Sequence, residues 1–83
     1  MASSNELISM AIKVRMLRLG LDQKTLSENS GISPVSLQRY LADQRGWKVS
    51  TLDKLLAPLK WESLKDLFNA AADEGNAPNT LAA

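Results

Sequence analysis

QKTLSENSGISPVSLQRYLA, residues 23–42, is the stretch that decides how this chain folds. Gly31 divides it into two short segments, each with one apolar side. In the first, Leu26 and Ser30 share a face at i, i+4, and Ser27 is small where a neighbouring helix must come close. Gly31 closes that segment, and Ile32 tucks beneath the turn. Ser33 suits an N-cap, and Pro34 suits the first helical turn, where a missing N–H has no partner to lose. Leu37, Tyr40 and Leu41 then give the second segment a buried side at i, i+3, i+4. Val35, Ser36, Gln38 and Arg39 remain outward, a mostly polar set with one cation.

Two short helices hinged at a glycine, the second with a polar outer face, form the layout of a helix-turn-helix. In that motif the second helix enters the major groove. Charge distribution agrees. Between Lys13 and Lys48 there are seven cations and three acids, a local net of +4, whereas the remainder of the chain sums to −3. The excess positive charge lies on the segment that holds the candidate reading helix.

Composition excludes other chemistry. The chain has 83 residues, enough for one small domain with a single core. It has no cysteine, so neither a disulfide framework nor a thiolate metal site can form. It has no histidine, which removes the usual general base and the commonest metal ligand. The acids are scattered singly, and no Gly-rich phosphate loop is present. No enzyme, no metal and no cofactor is expected. MASSNELISM lacks a basic n-region and does not read as a signal peptide. No apolar run reaches the roughly 18–20 residues of a membrane span. The expectation is a soluble cytoplasmic protein with no membrane partner.

The periodicity predicts an all-α domain of five helices over residues 1–72, followed by a disordered tail over 73–83. Helix 1 should run over 4–20 from a Ser4 cap, ending at Gly20. It carries two apolar stripes: Ile8, Ile12, Met16 and Leu19, and then Leu7, Met10, Val14 and Leu17. A surface helix normally has one stripe. The second is covered by helix 5, by the tail, or by another subunit. Asp22 should cap helix 2, and Asp43 should leave helix 3 in a left-handed conformation. Helix 4 is expected over 50–59, with Ser50 and Asp53 as a capping pair and Pro58 as a defect in its last turn. Helix 5 is expected over 63–72 from a Ser63 cap. Trp47 lies over the DNA backbone or plugs the core below its loop, and Trp61 packs between helices 4 and 5.

The pattern resembles the lambda-repressor/Cro (Xre-type) family of helix-turn-helix regulators from about Ile12 to Leu67. Gly20-Leu21-Asp22-Gln23 with Leu26, Gly31-Ile32-Ser33, and Leu37-Gln38-Arg39-Tyr40-Leu41 carry the likeness, with Thr51-Leu52 and Lys54-Leu55 downstream. Ser27 stands where the family usually has Ala, and Asp43 and Trp47 stand where Gly and Pro are common. The resemblance implies a lambda-repressor-like five-helix domain whose helix-turn-helix spans 23–42 and whose recognition helix spans about 34–42.

It also implies that Ser33, Pro34, Val35, Ser36, Gln38 and Arg39 face base edges and that Gln23 touches phosphate. The chemistry agrees: Arg39 can bond guanine O6 and N7, Gln38 can pair with adenine N6 and N7, and Val35 can meet a thymine methyl. Lys24, Arg45 and Lys48 are better placed for phosphates. An i,i+4 ion pair with Asp43 is the competing role for Arg39. The expected function is a sequence-specific regulator of double-stranded DNA, a phage- or bacterial-type repressor on an inverted-repeat operator. A homodimer would join either through the second stripe of helix 1 or through helix 5 around Phe68 and Ala72. The alternative is a protein-interaction module, antitoxin-like or an adaptor, that uses the same fold to bind a partner chain.

Overall fold

Capping side chains start the first three helices. The computed structural model describes residues 3–76. Its helices are α1 (Ser4–Leu19), α2 (Gln23–Ser30), α3 (Pro34–Leu41), α4 (Val49–Leu56) and α5 (Leu64–Asn76). No strand occurs among the described residues. The cap of α1 is Ser3, one residue earlier than expected, because only that register lets Glu6 reach back. The Ser3 hydroxyl accepts from the Glu6 N–H at 3.2 Å, and Glu6 Oε1 accepts from the Ser3 N–H at 3.0 Å. This is a reciprocal capping box. Asp22 caps α2 by accepting from the Thr25 N–H at 2.7 Å. Ser33 caps α3 through the Ser36 N–H, with Pro34 at the first position.

Three later boundaries differ from the sequence expectation, the start and the end of α4 and the end of α5. The α4 cap position is Lys48, which makes no side-chain capping bond, so Ser50 and Asp53 lie inside the helix. Pro58 lies just beyond α4, in the turn after Leu56; past it the Leu59 N–H still reaches the Leu55 carbonyl at 3.1 Å, and the Lys60 N–H bonds to the Ala57 carbonyl at 3.0 Å, a tighter turn. The chain leaves that turn through Lys60 at φ 59°. Arg15 of α1 holds the turn by donating to the carbonyls of Leu59 at 2.8 Å and Lys60 at 3.0 Å. At the other end, α5 continues to Asn76 rather than stopping near Ala72, so residues 73–76 are helical. Its last turn packs on α1: a Cβ at Gly75 would lie 3.3 Å from Leu7 Cδ1. Residues 77–83 of the expected tail lie outside the described residues.

The core joins Ile12, Met16, Leu26, Ile32, Leu37, Leu41, Leu52, Leu55, Leu59 and Leu67. α1 is central, packed chiefly against α5 and also against α3. This answers the double stripe only in part. α5 leaves Leu7 and Val14 half-buried, whereas Met10 is 40% and Leu17 is 82% exposed. Trp61 is half-buried against the core, with the Arg15 guanidinium 5.5 Å from the centre of its ring.

The helix pair of residues 23–42 is fixed at its turn. Gly31 adopts φ 77°, a conformation open to glycine at little cost. Beside it, the buried Ser27 hydroxyl donates to the Ile32 carbonyl. An alanine would fit the same space but leave that carbonyl without its partner. Ser27→Ala should therefore keep the fold and cost about 1 kcal/mol in urea unfolding.

Acid sensitivity follows from the caps. The Ser3 backbone and side chain hold the Glu6 carboxyl below its ordinary value, and the Thr25 backbone and side chain do the same for Asp22. A carboxylate with a lowered pKa adds stability that is fully present above the ordinary carboxylate range. That stability is lost as pH falls through the lowered value. Asp22→Asn keeps a capping acceptor and removes the titration. Thermal melts should show little change near neutrality and a shallower loss of stability on the acid side.

Candidate nucleic-acid interface

The second helix of the turn has two unlike sides. Leu37, Tyr40 and Leu41 of α3 are buried, which fixes the rotation of the helix about its axis. Pro34, Val35, Gln38 and Arg39 are then exposed, with Val35 58% accessible. Ser33 is exposed at the cap with its oxygen engaged by the Ser36 N–H, and Ser36 itself is half-buried. Gln23 and Lys24 are exposed at the start of α2. Arg45 and Lys48 are exposed in the loop after α3. Ser36 is the least accessible of the expected base readers.

That loop is held by groups the sequence reading missed. Asp43 has φ 60°, the left-handed exit that was expected. Its Oδ1 accepts from the Ser9 hydroxyl at 2.6 Å and from Asn5 Nδ2 at 3.0 Å. The carboxylate is thus taken by α1 rather than by Arg39. Asn5 Oδ1 accepts from the Trp47 N–H at 2.7 Å, and Ser9 Oγ accepts from Trp47 Nε1 at 2.8 Å. The Trp47 ring stacks on Tyr40 with centroids 4.8 Å apart, so it packs beneath the loop. Arg45 lies over Tyr40, 5.9 Å from guanidinium carbon to ring centre. Asn5 and Ser9 sit more than thirty positions away in sequence. The available signal was their i,i+4 spacing, which puts two small polar residues on the helix face that Ile12 and Met16 continue.

Tyr40 links α3 to α4. Its hydroxyl lies 3.3 Å from Thr51 Oγ1. That bond, helped by the charges of Lys48 and Arg45, draws its pKa below the ordinary phenol value against the effect of burial. Among the described residues no cluster of acids is arranged to hold a metal ion, and no helix is long and apolar enough to cross a membrane.

The arrangement offers hydrogen-bond donors and acceptors on an exposed helix face, with cations before and after it along the chain. Such a surface can bind a polyanion and present side chains to base edges. A family model described as helix-turn-helix matches residues 12–67, which takes in the turn, the exposed face and the cations that flank it. No curated protein and no solved structure matches the chain significantly. With the five helices, the glycine turn and most of its length matched, the chain belongs to the Cro/C1-type helix-turn-helix family of DNA-binding domains.

Proposed function

We propose that this chain is a sequence-specific transcriptional regulator of the repressor type that reads the major groove with α3. It would act in the cytoplasm on nucleoid DNA. The observation that carries this reading is the two-sided α3, exposed at Val35, Gln38 and Arg39 and anchored by Leu37 and Leu41. In the proposed complex, Ser33, Pro34, Val35, Ser36, Gln38 and Arg39 line the base edges. Gln23, Lys24, Arg45 and Lys48 bind phosphates. The Asn5–Ser9–Asp43–Trp47 bonds would keep the loop bearing Arg45 ordered before DNA arrives.

A two-fold dimer on an inverted repeat would set two such helices roughly 34 Å apart. The two sequence candidates for its interface partly coincide, since Leu7 of α1 and Phe68 and Ala72 of α5 line one groove of about 260 Å³. Phe68 at its edge is 44% exposed. The same exposed apolar groups favour the second reading, a module that binds a partner chain. Salt-dependent binding to duplex DNA separates the two.

Selection of bound sequences from a random duplex pool tests the proposal directly and returns the site. On the selected site, Arg39→Ala should cost about 1–3 kcal/mol and relax preference at one base pair. Lys48→Ala should weaken specific and random duplexes alike and lower the salt slope by about one. Equal losses for Arg39→Ala on both duplexes would reduce it to a phosphate contact. Sedimentation of the free protein and of the complex should give two subunits per full-affinity site. One subunit per site would remove the dimer.

A further inference from the structure

We infer that the cleft between α3 and α4 is a seat for one phosphodiester of the bound duplex, held by Lys54, Thr51, Tyr40 and Ser36. The inference rests on the proposed placement of α3 in the major groove and adds a contact outside the loop and α2. The cleft is open to solvent and offers about 210 Å³, enough for a phosphate group, and its lining also includes Gly31, Ile32 and Ser33. No Asp or Glu lines it.

The hydrogen-bond inventory points to an anion. A hydroxyl carries one hydrogen, and a lysine ammonium carries three hydrogens and no acceptor. Between Tyr40 and Thr51, 3.3 Å apart, one hydroxyl donates to the other, which leaves one hydrogen of the pair free. The Ser36 hydroxyl and the Lys54 ammonium make no hydrogen bond among the described residues, although the Ser36 N–H does bond to Ser33. The cleft is therefore rich in free donors and lacks any carboxylate to satisfy them. Tyr40 is 6% exposed and its ring is stacked on Trp47, so its hydroxyl is held in place rather than free to swing. A ligand with several acceptor oxygens and a negative charge completes this set.

Continuity identifies which anion. Ser33 and Ser36 belong both to the cleft and to the proposed reading face. With α3 in the groove, a sugar–phosphate strand runs along its flank toward α4. A phosphodiester there meets Lys54 without any movement of the core, because Lys54 is exposed.

The test uses Lys54→Gln and Thr51→Val in the full chain, with melting curves confirming that both fold. Binding is measured against salt on the selected duplex and on duplexes carrying one neutral methylphosphonate linkage at each position in turn. Lys54→Gln should lower the salt slope by about one. That corresponds to a roughly threefold smaller loss of affinity between about 50 and 200 mM salt. A single neutral linkage should weaken the unaltered protein and have no further effect on Lys54→Gln. Thr51→Val should lose affinity at that same linkage with the slope preserved. Absence of duplex binding by the unaltered protein would overturn the groove reading and the seat together. Binding with an unchanged slope in Lys54→Gln would overturn the seat alone. So would an equal change in Lys65→Gln on α5, or saturable uptake of inorganic phosphate by Lys54 while duplex binding stays unaffected.

Discussion

The angle between α2 and α3 depends on one small turn, and the presentation of α3 depends on that angle. Gly31 supplies a left-handed backbone, and the Ser27 hydroxyl ties the far side of the turn to α2 through the Ile32 carbonyl. Leu26, Ile32 and Leu37 close the space beneath. Each is nearly or fully buried, so a rotation of α3 would expose apolar surface at about 25 cal/mol per Å². Burial of the inner face fixes which residues of α3 stand outside: Pro34, Val35, Gln38 and Arg39.

A second constraint sits on α1. Ser9 is a buried hydroxyl with partners on three sides: the Asp43 carboxylate, the Tyr40 carbonyl and the Trp47 indole. A polar group buried this deeply is tolerated because its hydrogen-bonding capacity is met. Together with Asn5 it fastens the C-terminal end of α3 and the loop beyond it to the central helix. Arg15 does the corresponding work at the α4–α5 turn by bonding two carbonyls and covering Trp61. Both ends of the α3–α4 unit are thus referred to one helix.

Much of this was legible in the sequence because local rules decide it. The Ser33 cap, Pro34, the left-handed Gly20 and Gly31, and the left-handed Asp43 each follow from the chemistry of one residue and its neighbours. The exposure of Pro34, Val35, Gln38 and Arg39 was legible too, since the i, i+3, i+4 spacing of Leu37, Tyr40 and Leu41 leaves them outside, with Ser36 half-buried between the two sides. Apart from the α1 cap, which the local Ser3–Glu6 box moves back by one residue, what failed depends on more distant partners. Ser50 looked like a cap, yet the helix starts at Val49, with Leu52 and Leu55 turned into the core. The end of α5 was hidden because Ala71 and Gly75 are small residues whose fit against α1 shows only in three dimensions. Lys60 in a left-handed conformation had no local signal, being set by Arg15 and the turn around Pro58.

Lys48 at the head of α4 has an evolutionary consequence. Serine, threonine, aspartate or asparagine there would stabilise an eight-residue helix by about 1 kcal/mol through a capping bond that lysine cannot make. The chain instead holds a cation at that position, beside the helix proposed to meet DNA. Selection for thermostability alone would draw this position toward a capping residue, and selection for binding would draw it back. Position 48 is where variants with higher melting temperature and weaker attraction for a polyanion should arise together.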